Sequence, residues 1–319
     1  MLVNARVPLK VILSGEHAVL RGYPCVAMAC DLHVSSTAKT GSGYISPTLY
    51  HGTQAVELTQ CMRRAIEVLA DEVWNRFHKR LNMLVESVII HVPENTLGRG
   101  LGSSASILVS LIAVYFVLMA KVAGSEMPRL DDIIMMATRA EHEIHGRSSG
   151  IDVRTVTYGG FVVLNSSVKR LPKDILTKLG IKLVILDSMQ PKSTKKAITT
   201  ASSHRNYESI LANIGKVTTL LINELLMEEG STSRIHAFIK ENQSYLAELG
   251  LMTPELIRTL ETLSFCRSSK IIGAGLGGFC IGLYEGETYP GDMQAMGPRK
   301  INTSNGLEVS IDSIRIDLV

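Results

Sequence analysis

A cluster of glycines between a strand-like and a helix-like segment constrains this chain most. Residues 87–92 (Ser-Val-Ile-Ile-His-Val) read as a buried strand, and a long apolar segment, 105–120, has the character of a buried helix. Between them stands Thr96-Leu-Gly-Arg-Gly-Leu-Gly-Ser-Ser-Ala-Ser106. Glycines let backbone amides approach an oxyanion closely, and a helix start adds unpaired N–H groups and the positive end of its dipole. A phosphate can be held there without a lysine. The Walker pattern is absent, and Ser103 occupies the position of the third glycine of a dinucleotide fingerprint. The bland alternative is a glycine turn with Ser103 or Ser104 as helix N-cap.

The 16 residues of the 105–120 run fall short of the ~20 that a spanning helix needs, so a core helix is expected rather than a membrane segment. The N-terminus lacks the features of a secretory signal. Lysine and arginine total 33 against 30 acidic residues, a net charge of +3. That balance disfavours nucleic-acid and membrane partners and favours small molecules. Five cysteines without a CxxC pair suggest reduced thiols and a cytoplasmic location. With 319 residues, 45% of them apolar, two domains are expected, divided near 178.

Short strands are read at 7–13, 23–29 and 33–38, then an amphipathic helix over 54–79. Helix 130–145 is followed by a turn bearing Gly146 and Gly150 and a short helix with Asp152. Beyond a strand at 181–187, helices are expected at 211–228, 235–249 and 254–264. Strand 270–284 has glycines in its middle, and 307–318 reads as a last strand. The class is α/β (α+β).

Three further groups carry chemistry. Lys10, in Lys10-Val-Ile-Leu-Ser-Gly-Glu-His17, lies on a strand where a buried ammonium requires an anionic partner, though alternation equally allows a solvent-facing lysine. Glu141 and Asp152 can face one site if Gly146 and Gly150 turn the chain back. A carboxylate and a hydroxyl, Glu141 and Ser104, suit magnesium, and Asp152 is then free to act on a hydroxyl. Glu141, Glu143 and Asp132 each read, taken singly, as a solvated helix face. Gly273-Ala-Gly-Leu-Gly-Gly278 satisfies GxGxxG but is followed by a strand, so it is either a close backbone crossing or a bulged hairpin. His142 and His145 form no HExxH pattern, which makes catalytic zinc improbable.

Lys10–Val19, 98–106 and 270–280 resemble the three motifs of the GHMP kinase superfamily. Residues 141–160, Pro191-Lys-Ser-Thr194, 242–250 and 303–311 extend the resemblance over all but roughly 41–85. It is similar to the branch that phosphorylates the primary hydroxyl of mevalonate. The resemblance implies a two-domain fold with the cleft between an ATP-binding domain, 1–178, and a C-terminal domain, 179–319, whose last strand, about 305–319, is free to return to the first. It implies ATP and Mg2+, a small-molecule acceptor and a homodimer. By matching position, Asp152 and Lys10 would be catalytic, Glu16, His17 and Thr194 would bind acceptor, and Ser104 and Glu141 would hold metal. Gly98, Gly100, Leu101, Gly102, Ser103, Ala105, Gly273, Gly275 and Gly277 would line the nucleotide, with Ser104 among them. Thr96, Arg99 and Ser106 depart from the commoner motif residues. Other GHMP kinases, acting on phosphomevalonate or homoserine, and a non-catalytic nucleotide sensor are the competing implications.

Overall fold

The computed structural model describes residues 1–41, 47–77, 85–145, 148–286 and 299–318. Two hairpin-rich strands open the chain: β1 (Leu2–Ser14), a 3-10 turn at Ala18–Arg21, and β2 (Cys25–Thr40). The strands expected at 23–29 and 33–38 are one strand. Asp31 and Leu32 form a bulge opposite the Pro8/Leu9 step, which bends β2 without ending it.

A hairpin of β3 (Thr48–His51) and β4 (Gln54–Val56) turns at Gly52. The helix expected from 54 therefore starts later, as α1 (Gln60–Phe77), where the Thr59 hydroxyl accepts from the Met62 N–H. Its expected end at Lys79, like Gly146, lies outside the described residues. β5 (Val85–Val92) leads through the glycine loop into α2 (Ser103–Ala123), followed by α3 (Leu130–His145) and α4 (Ile151–Tyr158).

Then come β6 (Phe161–Leu164), β7 (Val168–Leu171), α5 (Ile175–Lys178), β8 (Lys182–Asp187) and α6 (Thr194–Ser202). The helices α7 (Tyr207–Leu226), α8 (Thr232–Glu248) and α9 (Pro254–Thr262) precede β9 (Ser268–Ile271) and β10 (Phe279–Tyr284). β11 (Arg299–Ile301), β12 (Glu308–Ile311) and β13 (Ile314–Ile316) close the chain. The single strand expected over 307–318 is a hairpin, because Asp312 and Ser313 both adopt positive φ and reverse the backbone.

Among the described residues the first sheet runs β13-β12-β1-β2-β5-β3-β4, with β6 on β2 and β7 on β6; the second runs β11-β8-β10-β9. Thus β12 and β13, last in sequence, pair on the first sheet. α2 is apolar and long enough to cross a membrane, but 89% of its most apolar window is buried. It packs on β1 and β2 with α1, α3 and α4 around it, so its all-round hydrophobicity serves the core. The second sheet packs with α8 and α9, and α7 reaches back to β1 and the 3-10 turn. Two features set the site on this frame. The Lys10 N–H donates to the Leu101 carbonyl at 2.9 Å, fastening the glycine loop to β1, and the Gly278 N–H and Ser188 N–H tie the second glycine loop to the end of β8.

Candidate functional site

One cavity gathers most of the residues singled out in the sequence. Lys10, Glu16, His17, Gly98, Gly100, Gly102, Ser103, Ser104, Glu141, Asp152, Thr194 and Gly273 all line it. Leu101 and Ala105 are fully buried and do not line it; Leu101 serves through its carbonyl on Lys10. Gly275 and Gly277 sit behind it, where added side chains would strike Leu251 and the Pro191 carbonyl.

Two of the helices that line the cavity begin on a glycine. Gly102 before α2 and Gly150 before α4 are left-handed, and neither glycine makes a side-chain cap. The N-cap role foreseen for Ser103 or Ser104 is therefore corrected: the Ser103 hydroxyl accepts from the Gly98 N–H at 3.1 Å and closes the loop on itself. At the start of α2 no side chain caps the helix, an arrangement suited to an anion, whereas at α4 the Ile151 N–H donates to the Ser149 hydroxyl at 3.4 Å. A Cβ on Gly102 would lie 2.8 Å from Lys10 Cγ, so glycine there brings the loop onto the lysine.

Lys10 does not face solvent. It is 2% exposed, and its Nζ stands 3.0 Å from Asp152 Oδ1 and 3.4 Å from the Gly100 carbonyl. Asp152 lies in the first turn of α4, where the dipole favours a carboxylate. Its side chain is a quarter exposed (26%), into the cavity. Glu141, from α3, is 2% exposed and accepts from the Ser148 hydroxyl. Burial first, then the Asp152 charge, pushes its carboxyl up to about 7. Glu143 and Asp132 follow the bland reading and pair with Arg64 and Arg76 on the surface.

His17 is held at φ 60, with Nε2 3.0 Å from the Ala274 carbonyl. Burial lowers its pKa, so near neutral pH Nε2–H donates and Nδ1, buried and without a partner among the described residues, is an acceptor. His142 is exposed and away from the cavity. Ile12, Val19, Leu20, Ile151 and Ile198 give the cavity an apolar wall.

Sequence reasoning missed Lys192. It precedes α6, its Nζ donates to the Ile272 carbonyl at 2.9 Å, and Cβ atoms on Gly100 or Gly273 would meet it at 2.5 and 2.9 Å. Burial, then the charge of Lys10, brings it down to about 7. Only the Pro-Lys-Ser-Thr motif signalled it. Ser148 was missed likewise. Arg99, whose direction was open, pairs with Asp187 at 3.3 Å and so ties the first glycine loop to the end of β8.

Two family models match: the GHMP kinases N terminal domain over residues 60–160 and the GHMP kinases C terminal over 222–299. The chain is 28% identical over 285 residues to a mevalonate kinase of Archaeoglobus fulgidus, covering 89% of this chain and 93% of that one. It is 28% identical over 326 residues to a mevalonate kinase of Saccharolobus solfataricus, covering 98% and 100%. The crystal structure of the Methanococcus jannaschii mevalonate kinase superposes with a TM-score of 0.76 at 23% identity, over 96% of this chain and 98% of that one.

Proposed function

We propose that this chain, which belongs to the GHMP kinase family, transfers the γ-phosphoryl group of ATP to the primary hydroxyl of mevalonate. The observation that carries the reading is the Lys10–Asp152 ion pair, 3.0 Å long, beside the amide-lined loop and within one cavity. A sensor that only binds nucleotide needs the loop but neither member of the pair. Relatives named mevalonate kinase over nearly the whole chain support the choice of acceptor. So does the cavity itself: buried acceptors at Glu16 and His17 suit an alcohol, and the apolar wall suits a short hydrocarbon skeleton.

In this reading the amides of Gly100, Leu101, Gly102 and Ser103 bind the polyphosphate, and Lys192 adds a cation beside Gly100. Asp152 takes the proton of the acceptor hydroxyl as the oxygen attacks phosphorus. Lys10 keeps the carboxylate oriented and places a positive charge next to the developing alkoxide. Glu16, His17 and Thr194 orient the acceptor, which turns a bimolecular encounter into a positioned one. Glu141 and Ser104 are hard-oxygen donors on one cavity wall, and the upward shift of Glu141 is that of a buried carboxylate without enough positive charge nearby, so the set fits magnesium. When bound, the ion supplies charge neutralisation on the phosphate oxygens.

The test is a coupled ADP-release assay with mevalonate, phosphomevalonate, homoserine and galactose offered in parallel with ATP and magnesium. Turnover is expected with mevalonate. Its absence there, with turnover of another acceptor, overturns the assignment.

A further inference from the structure

Among the described residues, the most buried charge lies just outside the cavity. Lys270, on β9, is 0% exposed, and its ammonium pairs with Glu16, whose side chain is 1% exposed. The same Nζ donates to the Ile271 carbonyl at 2.8 Å and reaches the Ile12 carbonyl at 3.4 Å. An ammonium has three donors, and all three are occupied. Lys270 therefore has none left for a ligand, and it is absent from the cavity lining, whereas Ile12 and Glu16 are on it.

The other end of the pair is unfinished. Glu16 Oε1 is held by Lys270, while Oε2 is buried and has no partner among the described residues. One residue along, His17 is tied to the Ala274 carbonyl in the loop that follows β9. Glu16 and His17 belong to the turn after β1, and Lys270 and Ala274 to the second sheet and its glycine loop. These two attachments fix the turn from across the cleft and leave one acceptor on each residue free, Oε2 and Nδ1.

We propose that Lys270 is a positioning residue for acceptor binding, which holds the Glu16 carboxylate so that Oε2 receives a hydroxyl of the substrate. This rests on the functional reading above. The effect of Lys270 on the acceptor runs through the Glu16 carboxylate, and that makes it separable from the structural role of its bonds to the Ile12 and Ile271 carbonyls.

The experiment is a double-mutant cycle read by calorimetric titration of mevalonate and of ATP into wild type, Lys270→Met, Glu16→Gln and the double variant. K270M is expected to weaken mevalonate binding about tenfold or more, the scale for a displaced orienting group, with ATP affinity changed by less than about twofold. In the E16Q background K270M should add nothing, since the group it holds is already altered. Additive effects overturn the proposal, as does a folded K270M with wild-type mevalonate affinity. Should K270M not fold because Glu16 is left buried and unpaired, the comparison of E16Q with the double variant, which loses both charges together, decides. A double variant that fails to fold where E16Q folds overturns it too. Wild type that binds no mevalonate refutes the functional reading instead. The Lys270 claim is then decided by a crystal structure of K270M, or of the double variant against E16Q if K270M does not fold: a side chain of residue 16 left in place refutes it.

Discussion

Gly102→Ala isolates the contact between the glycine loop and Lys10, and Gly124→Ala supplies its control. Both glycines flank α2, one at each end, and both are left-handed, at φ 73 and 63. At Gly124 a Cβ meets nothing within 4 Å, so the substitution carries only the conformational cost, about 1 kcal/mol. At Gly102 the Cβ would stand 2.8 Å from Lys10 Cγ and 2.9 Å from Cε. Carbon contacts become favourable near ~3.5 Å, so the lysine must retreat by roughly 0.7 Å. Its 3.0 Å bond to Asp152 then lengthens to about 3.7 Å, beyond hydrogen-bond range. G102A should lose about 2–4 kcal/mol by urea unfolding, from the left-handed strain and the crowding together. Its kcat in the ADP-release assay should fall about 100-fold, the scale of a misplacement near 1 Å. G124A should retain wild-type kcat. Equal kcat values for the two variants would refute the argument that the loop holds Lys10 against Asp152.

Asp152→Asn should lower kcat by about two or more orders of magnitude while ATP affinity, followed by calorimetry, is retained. Unchanged kcat removes Asp152 from the mechanism. Lys192, brought down to about 7 in the ligand-free protein, should bind a proton as polyphosphate arrives at pH 8. Titrations of ATP in buffers of different ionisation enthalpy should show net uptake in wild type and less in Lys192→Met; equal uptake refutes it. The same depressed pKa means that the unfolded chain holds more protons there, so this residue's contribution to stability rises with pH from about 7 toward the ordinary lysine value. The urea midpoint of K192M should therefore lack that part of the pH dependence. Ser106→Ala removes a buried hydroxyl that donates to the Pro8 carbonyl at 2.7 Å and should cost about 1 kcal/mol by urea unfolding, with nucleotide affinity retained.

What the sequence makes legible are features whose physics is local. The glycines of 98–102 and 273–278 announce close backbone approach, and α2 is legible from its unbroken apolar run. Lys10 announces that it requires an anion, but not which one, because Asp152 reaches it only once α4 has packed on β1. Lys192 shows no local periodicity. Its place depends on the loop between β8 and α6 meeting Gly100 and Ile272 in space. Reversals without glycine are hidden for a related reason. Asp312 and Ser313 turn the backbone at positive φ with side chains that alternation counts as strand, so one strand is read where a hairpin stands. At 51–54 the lone Gly52 is too weak a signal to separate β3 and β4 from the helix that follows.

The charges of the cavity give the last step. Three lysines and three carboxylates lie in or against it, and two pairs are closed: Lys10 with Asp152, and Lys270 with Glu16. Among the described residues the remaining cation, Lys192, donates to the Ile272 carbonyl and the remaining carboxylate, Glu141, accepts from the Ser148 hydroxyl, so the two are not paired with each other. Each is driven toward its neutral form, Lys192 downward and Glu141 upward, both to about 7. A protein gains nothing in stability from two buried ionisable groups left in this state. Their retention makes sense if a ligand brings the missing charges, an anion for Lys192 beside the glycine loop and a cation for Glu141. A polyphosphate carrying a divalent metal supplies both at once. In the proposed reading ATP without metal would satisfy only Lys192, and metal without ATP only Glu141. Each should therefore raise the affinity for the other, and Glu141→Gln should diminish that coupling while leaving metal-free ATP binding in place, a cycle that calorimetry can close.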